Sequence, residues 1–209
     1  MALVKYNDNS ISAISSAGQL ATGSLVPIKT LTASDSASLS FVDGSNDVVL
    51  DSTYPIYKFE FINIHPEFNN VFFIFNGSDD TSSHSYDITK TTTAFSSSHD
   101  EADTSTSLSY RTGNDLAQST DYHTLSHESL GDGADESSSG YLYLFNPSST
   151  TFVKHFMARL NIYHDADATH DCFSAGYFNT TSPITALDFQ MNFGGIGSGT
   201  IKLYGIKDS

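Results

Sequence analysis

The densest run of side chains able to do chemistry is His164-Asp165-Ala166-Asp167-Ala168-Thr169-His170-Asp171. Asp165, Asp167, Thr169 and Asp171 alternate as oxygen ligands do in the first half of a calcium loop. The second half is missing: position six is His170 rather than Gly, and position twelve is Gly176 rather than Glu. His164 and His170, with Asp165, Asp167 and Asp171 beside them, are also donor types that a transition metal takes. Set between two strand patterns, the same run reads as a polar loop, and no metal is assigned to it. Asp100, Glu101 and Asp103, and separately Asp132, Asp135 and Glu136, are carboxylates of the kind that glycoside hydrolysis uses in facing pairs. Both groups fall in Ser-rich stretches and read as solvated loops.

Other catalytic patterns fail on spacing. Gly195-Ile196-Gly197-Ser198-Gly199 is not a nucleophile elbow, and no Lys follows it to make a phosphate loop. It reads as a tight turn into a last strand. Cys172 has no neighbouring base and reads as a small buried hydrophobe. No catalytic residue and no cofactor is expected, so the chain reads as a non-enzyme. Ring faces of Tyr can pack on the C–H face of a sugar. Tyr110, Tyr122 and Tyr163 adjoin polar stretches and are the candidate contact residues. Tyr54, Tyr57, Tyr141, Tyr143 and Tyr204 sit inside strand patterns, as core or subunit-interface residues.

Whatever positions these groups is built on a period of two. Tyr57, Phe59 and Phe61 alternate with Ile56, Lys58 and Glu60, a strand with one wet face. Val71–Phe75 and Tyr141–Phe145 are apolar at both parities and read as central strands. Phe152, Phe156, Ala158, Leu160 and Ile162 form one stripe, and Leu187, Phe189, Met191 and Phe193 another. The last strand carries Ile201 and Leu203, with a change of register at Gly205. Shorter strands are expected at Ile28–Leu31, Leu39–Val42, Tyr86–Thr93 and Leu108–Tyr110. The only helical signal is one turn near Asp115–Ser119. Eight to ten short strands with regular turns predict an all-β fold, an antiparallel β-sandwich of jelly-roll type. The expected organisation is an N-terminal arm over 1–24, then one domain over 25–209 with long loops at about 96–140.

Composition removes several partners. Of 209 residues, 9 are Lys or Arg and 24 are Asp or Glu, a formal charge of −15. Such a chain repels nucleic acid and anionic membrane surfaces. No apolar run approaches the roughly 20 residues of a membrane-spanning helix. Only 16% of residues are charged, while Ser and Thr fill about a quarter of all positions, so the surface is polar through hydroxyls. The first residues show no signal-peptide pattern, and synthesis in a cytoplasm is expected.

Six segments carry a resemblance. They are Met1-Ala-Leu-Val-Lys-Tyr-Asn-Asp-Asn-Ser-Ile-Ser-Ala-Ile14, Asp47-Val-Val-Leu-Asp-Ser-Thr-Tyr-Pro-Ile-Tyr57 and Phe61-Ile-Asn-Ile-His-Pro66. The others are Leu144-Phe-Asn-Pro-Ser-Ser-Thr-Thr-Phe-Val-Lys-His-Phe156, Gly176-Tyr-Phe-Asn-Thr-Thr-Ser182 and Gly197-Ser-Gly-Thr-Ile-Lys-Leu-Tyr-Gly-Ile206. Together the chain resembles small jelly-roll structural proteins of marine tailed bacteriophages, of tail-fibre or capsid-decoration type. The resemblance implies a virion location, without a catalytic motif to carry over. It implies a tail-fibre or host-attachment component, with a capsid decoration (cement) protein as the alternative. A carbohydrate-binding module outside any virion is the reading from another class. The expected partners are further copies of the chain, as a homotrimer, other virion proteins through the arm, and a host surface glycan.

Overall fold

The computed structural model describes residues 24–207. Twelve strands and no helix make up the regular structure of these residues. They are β1 Leu25–Ser36, β2 Ser38–Val42, β3 Ile56–Pro66, β4 Phe73–Ser78, β5 Lys90–Asp100 and β6 Thr106–Tyr110, then β7 His123–Thr124, β8 Ser138–Phe145, β9 Lys154–His164, β10 Ala168–Phe178, β11 Ala186–Met191 and β12 Ile196–Ile206. An eight-stranded sheet has the order β1-β12-β3-β8-β9-β10-β5-β6, and a four-stranded sheet the order β2-β11-β4-β7. Every pairing is antiparallel.

The pairs are nested. β1 pairs with β12, β2 with β11, β3 with β8 and β4 with β7, alternating between the large and the small sheet. Two further hairpins, β5–β6 and β9–β10, extend the large sheet past β8. Inward parities are apolar because the two sheets face each other, which gives a sandwich-like core. Phe189 of the small sheet lies 5.3 Å, centroid to centroid, from both Phe59 and Phe61 of the large one. Phe75 meets Phe156 edge-on at 5.0 Å.

The inward stripe of β9 begins with Lys154 rather than Phe152, which lies before the strand and is 69% exposed. Lys154 and Lys90 flank Phe178 across the sheet, and both stems are fully buried. Their ammonium groups, buried with the stems, are satisfied by donating to the carbonyl oxygens of Thr180 and Asp121.

Several expectations are corrected here. Asp115–Ser119 forms no helix; Leu116 and Ser119 donate their N–H groups to the side chain of Thr92 and the backbone of Lys90, which fixes an irregular strip along β5. The region 96–140 is not loop throughout, since β6, β7 and the start of β8 fall in it. Phe193 leaves the β11 stripe and packs on Phe68 at 5.4 Å in an exposed pair. β12 keeps its register through Gly205, and its irregularities lie between Ile196 and Thr200. Ile206 is therefore half-buried rather than core. Gly197 and Gly199 stand inside β12 at those irregularities rather than in a hairpin turn. Of the expected arm, residues 1–23 lie outside the described residues.

Candidate functional site

The two sheets differ in what covers their outer faces. The small sheet is sealed. Asn76 donates to the Thr120 carbonyl, Ser40 and Tyr122 donate to the two oxygens of Asp188, and Thr185 donates to the carbonyl of Asp80. Asp80 in turn accepts backbone N–H groups of Ser82, Ser83, His84 and Ser85, which closes that loop and holds its carboxyl far below the usual range. β4 is consequently buried at every position.

Among the described residues the outer face of the large sheet is left open, and aromatic side chains are gathered on it. Cross-strand neighbours share a face, so the pairings define rows. One row runs Tyr110 (β6), Phe95 (β5), Phe173 (β10), Arg159 (β9), Tyr141 (β8) and Glu60 (β3). The rings of Phe95 and Phe173 stack at 4.7 Å and 3°. The guanidinium of Arg159 lies 4.7 Å over the other end of this ladder, on Phe173. Arg159 is held flat by a bidentate pair with Asp171, Nε to Oδ1 at 2.9 Å and Nη2 to Oδ2 at 2.6 Å. That pair also pushes its already high pKa further up.

The next row is Thr93, Ala175, Met157, Tyr143 and Lys58. Ala175 is its smallest side chain, and the face is hollow above it. A hollow of about 340 Å³ is lined by Phe95, Phe173, Arg159, Tyr141, Tyr143 and Met157. A second of about 380 Å³ is lined by Thr91, Tyr177, His155, Phe145 and Met157. Thr93, Met157 and Ala175 border both, so the two form one trough with Met157, 56% exposed, rising between them.

The reverse side of this strip is polar. His127 Nδ1 lies 3.2 Å from the carbonyl of Phe95 and donates to it, which leaves Nε2 an acceptor. Ser174 donates its hydroxyl to that Nε2 and accepts from Nε2 of His123, both at 2.9 Å. Nδ1 of His123 is then the unprotonated nitrogen, and among the described residues it has no hydrogen-bond partner. Burial pushes the pKa of His123 down to about 3 and that of His127 down to about 4. Cys172, beside them, is buried, and its thiol is pushed up to about 11.

The residues singled out from sequence are distributed as follows. The run 164–171 is not one loop: only 165–167 turn, and Thr169, His170 and Asp171 belong to β10. Asp171 faces outward onto Arg159, Asp167 accepts from the Tyr163 hydroxyl, and Asp165 pairs with His164. His164 and His170 have ring centroids 5.2 Å apart. Alternation along β10 sends His170 to the sheet face opposite Asp171, which divides the set. Among the described residues no three His, Cys, Asp or Glu side chains are grouped to hold a metal ion. Asp100 accepts from Thr104 and Ser105 of its own turn, and Glu136 accepts from Gly133, so these carboxylates cap loops. Tyr122 is half-buried beneath the small sheet's cover and is not a surface contact. Tyr110 heads the aromatic row, with its hydroxyl donating to Asp115. Tyr163 shares the face but stands beyond the polar position Asn161.

Phe95, Phe173, Met157 and Arg159 were not recognised from sequence. The signal was there in β8, where Tyr141, Tyr143 and Phe145 oppose Leu142 and Leu144, and in β10, where Phe173 and Tyr177 oppose Cys172 and Phe178. Two apolar parities mean a second surface to satisfy, and in this fold that surface is left open. Comparison of the chain with protein-family models, with curated proteins and with solved structures finds no match.

Proposed function

We propose that the protein is a non-enzymatic jelly-roll component of a tailed-phage virion, displayed on the particle and acting in host attachment. The nested pairing supports the jelly-roll assignment: a single long antiparallel ribbon, β1–β4 against β7, β8, β11 and β12, has its successive pairs dealt alternately to two sheets. One observation carries the functional reading. A protein that closes one outer face with loops and leaves rings, an oriented guanidinium and a trough on the other has a surface suited to contact. Asp100 and Glu136, one from each candidate carboxylate group, are engaged in their own turns, which favours binding over catalysis. An acidic surface rich in hydroxyls keeps such a protein soluble at high salt, where ion pairs are screened. Assembly as a trimer, with residues 1–24 tethering it to other virion proteins, belongs to the same proposal.

Imaging of intact particles with this chain labelled tests it. The expected result is a small number of copies at the tail. Label covering the capsid shell would replace attachment by the decoration role, and absence from purified particles would overturn the virion assignment.

A further inference from the structure

We propose that the trough over Ala175 binds a neutral oligosaccharide. The inference rests on the reading of the open face as a contact surface and adds the chemical class of what it takes.

Three features select that class. The first is shape. Ala175 is the floor, and the neighbouring rows rise on either side with Phe173 and Arg159 in one and Tyr177 and His155 in the other. The result is a furrow rather than a flat apolar plate, with rings as walls for the C–H faces of a pyranose. The second is the placement of polar groups. Arg159 presents a planar guanidinium at one end, held from behind by two hydrogen bonds to Asp171, outside the lining, before any ligand arrives. The hydroxyls of Thr91, Thr93, Tyr141 and Tyr143 and the imidazole of His155 stand along the rest. Such groups match hydroxyl edges, and pre-ordering them lowers the entropy lost on binding.

The third is charge. Among the described residues Arg159 is the one Arg or Lys lining the two hollows, and Asp171 neutralises it, while Lys58 in the adjoining row is paired with Glu60. A polyanion would meet no free positive charge there and would be repelled by a chain of net charge −15. A cationic ligand would find no carboxylate lining the trough. The complement of this surface is an uncharged, hydroxyl-rich, ring-shaped molecule. Phe173 and Tyr177 are four residues apart on one strand, about 13 Å at strand rise. Two subsites divided by Met157 therefore call for more than one sugar unit.

The test is affinity electrophoresis of the whole protein in gels containing laminarin, galactomannan or dextran, with alginate as the anionic comparison. Retardation by at least one neutral polysaccharide and none by alginate is the expected result. Ala175→Leu fills the floor from the outer side without touching the core and should weaken that retardation by about tenfold or more, with an unchanged melting temperature. Tyr143→Ala, which removes a wall instead, should do the same and stands in if the first variant is poorly folded. Three results overturn the proposal: no retardation by any neutral polysaccharide, equal binding by both variants, or a sedimenting oligomer that Ala175→Leu dissociates. The last would mean that a second copy covers the face. None of the three touches the labelling of particles, so failure here and failure of the virion reading are distinguishable.

Discussion

Acid should unfold this protein through two histidines. His123 and His127 are neutral in the folded state because burial pushes their pKa values down to about 3 and about 4, against 6.5 when exposed. Lys90 and His127 beside His123, and Arg111 beside His127, act in the same direction, and only Glu128 and the Phe95 carbonyl favour the charged form of His127. A depressed histidine pKa contributes stability above the unfolded value and loses it as pH falls toward the folded value. At about pH 5 both remain neutral when folded, whereas the unfolded chain protonates each with 1.5 units of driving force. That is about 2 kcal/mol apiece, or about 4 kcal/mol for the pair, relative to about pH 7.5. His170, also lowered by burial, adds in the same sense. The depressed carboxylates Asp51, Asp80 and Asp100 lose their contribution only below their ordinary value of 3.8, outside this window.

The assay is chemical denaturation at the two pH values. A loss of about 4 kcal/mol is a large part of a typical total and corresponds to a fall of about 8–16 °C in Tm for a chain of this size. His127→Gln keeps a donor for the Phe95 carbonyl and an acceptor for Ser174 but cannot be protonated. In that variant the pH dependence should fall by about 2 kcal/mol, roughly half. Equal stability at both pH values, or an imidazole resonance of His123 or His127 titrating at its exposed value, would refute the reasoning.

Phe189→Ala removes the ring that meets Phe41, Phe59, Phe61, Phe73 and Phe75, and should cost about 3–5 kcal/mol in denaturant unfolding. At Gly140 an added Cβ would collide with the backbone carbonyl of Arg159, so Gly140→Ala should destabilise by about 3 kcal/mol or fail to fold on expression. Tyr122→Phe deletes one of the two donors to buried Asp188 and should cost about 1–2 kcal/mol in thermal unfolding while leaving polysaccharide retardation unchanged.

The all-β class was legible because strand alternation is a local property: Phe59 and Phe61 announce an inward face wherever β3 ends up. Topology was not, since the paired residues of β1 and β12 are 160 or more positions apart, from Ser36 with Ile196 to Leu25 with Ile206, and no turn residue encodes their meeting. Phe152 and Lys154 show how parity can mislead. Both fit the inward register of β9, and the choice depends on where the strand begins and whether a lysine stem can reach a carbonyl. The site was harder still. Tyr141 and Tyr143 read as interior because two apolar parities usually mean two covered faces, whereas here both line a surface hollow, with the Lys58 ammonium 5.8 Å over the Tyr141 ring. Conversely the His164–Asp171 cluster looked chemical in one dimension and was divided by the pleat, which sends His170 and Asp171 to opposite sides.

The large sheet changes character along its width, and the change falls where the trough lies. Under β12, β3 and β8 its inner face carries Leu203, Ile201, Tyr57, Phe59, Phe61, Leu142 and Leu144, all buried against the small sheet. Under β10 and β5 the inner residues include Lys90, Thr92, Ser96, His170 and Ser174, buried and polar. Past Phe178, which packs on Phe75 and Phe156, that half is held by directed hydrogen bonds: His127 to the Phe95 carbonyl, Ser174 between two imidazoles, Arg111 to Ser96. Phe95 adjoins Ser96 in the chain, and Phe173 and Ala175 flank Ser174, so these outer residues alternate with the polar inner ones. Protonating the imidazoles would therefore loosen Phe95, Phe173 and Ala175 before it reaches the Phe189 cluster. Amide hydrogen exchange should show this as protection lost first in β5 and β10 between about pH 7 and pH 5, with β3 and β11 holding. Uniform loss across both sheets would mean instead that the two halves unfold as a single unit.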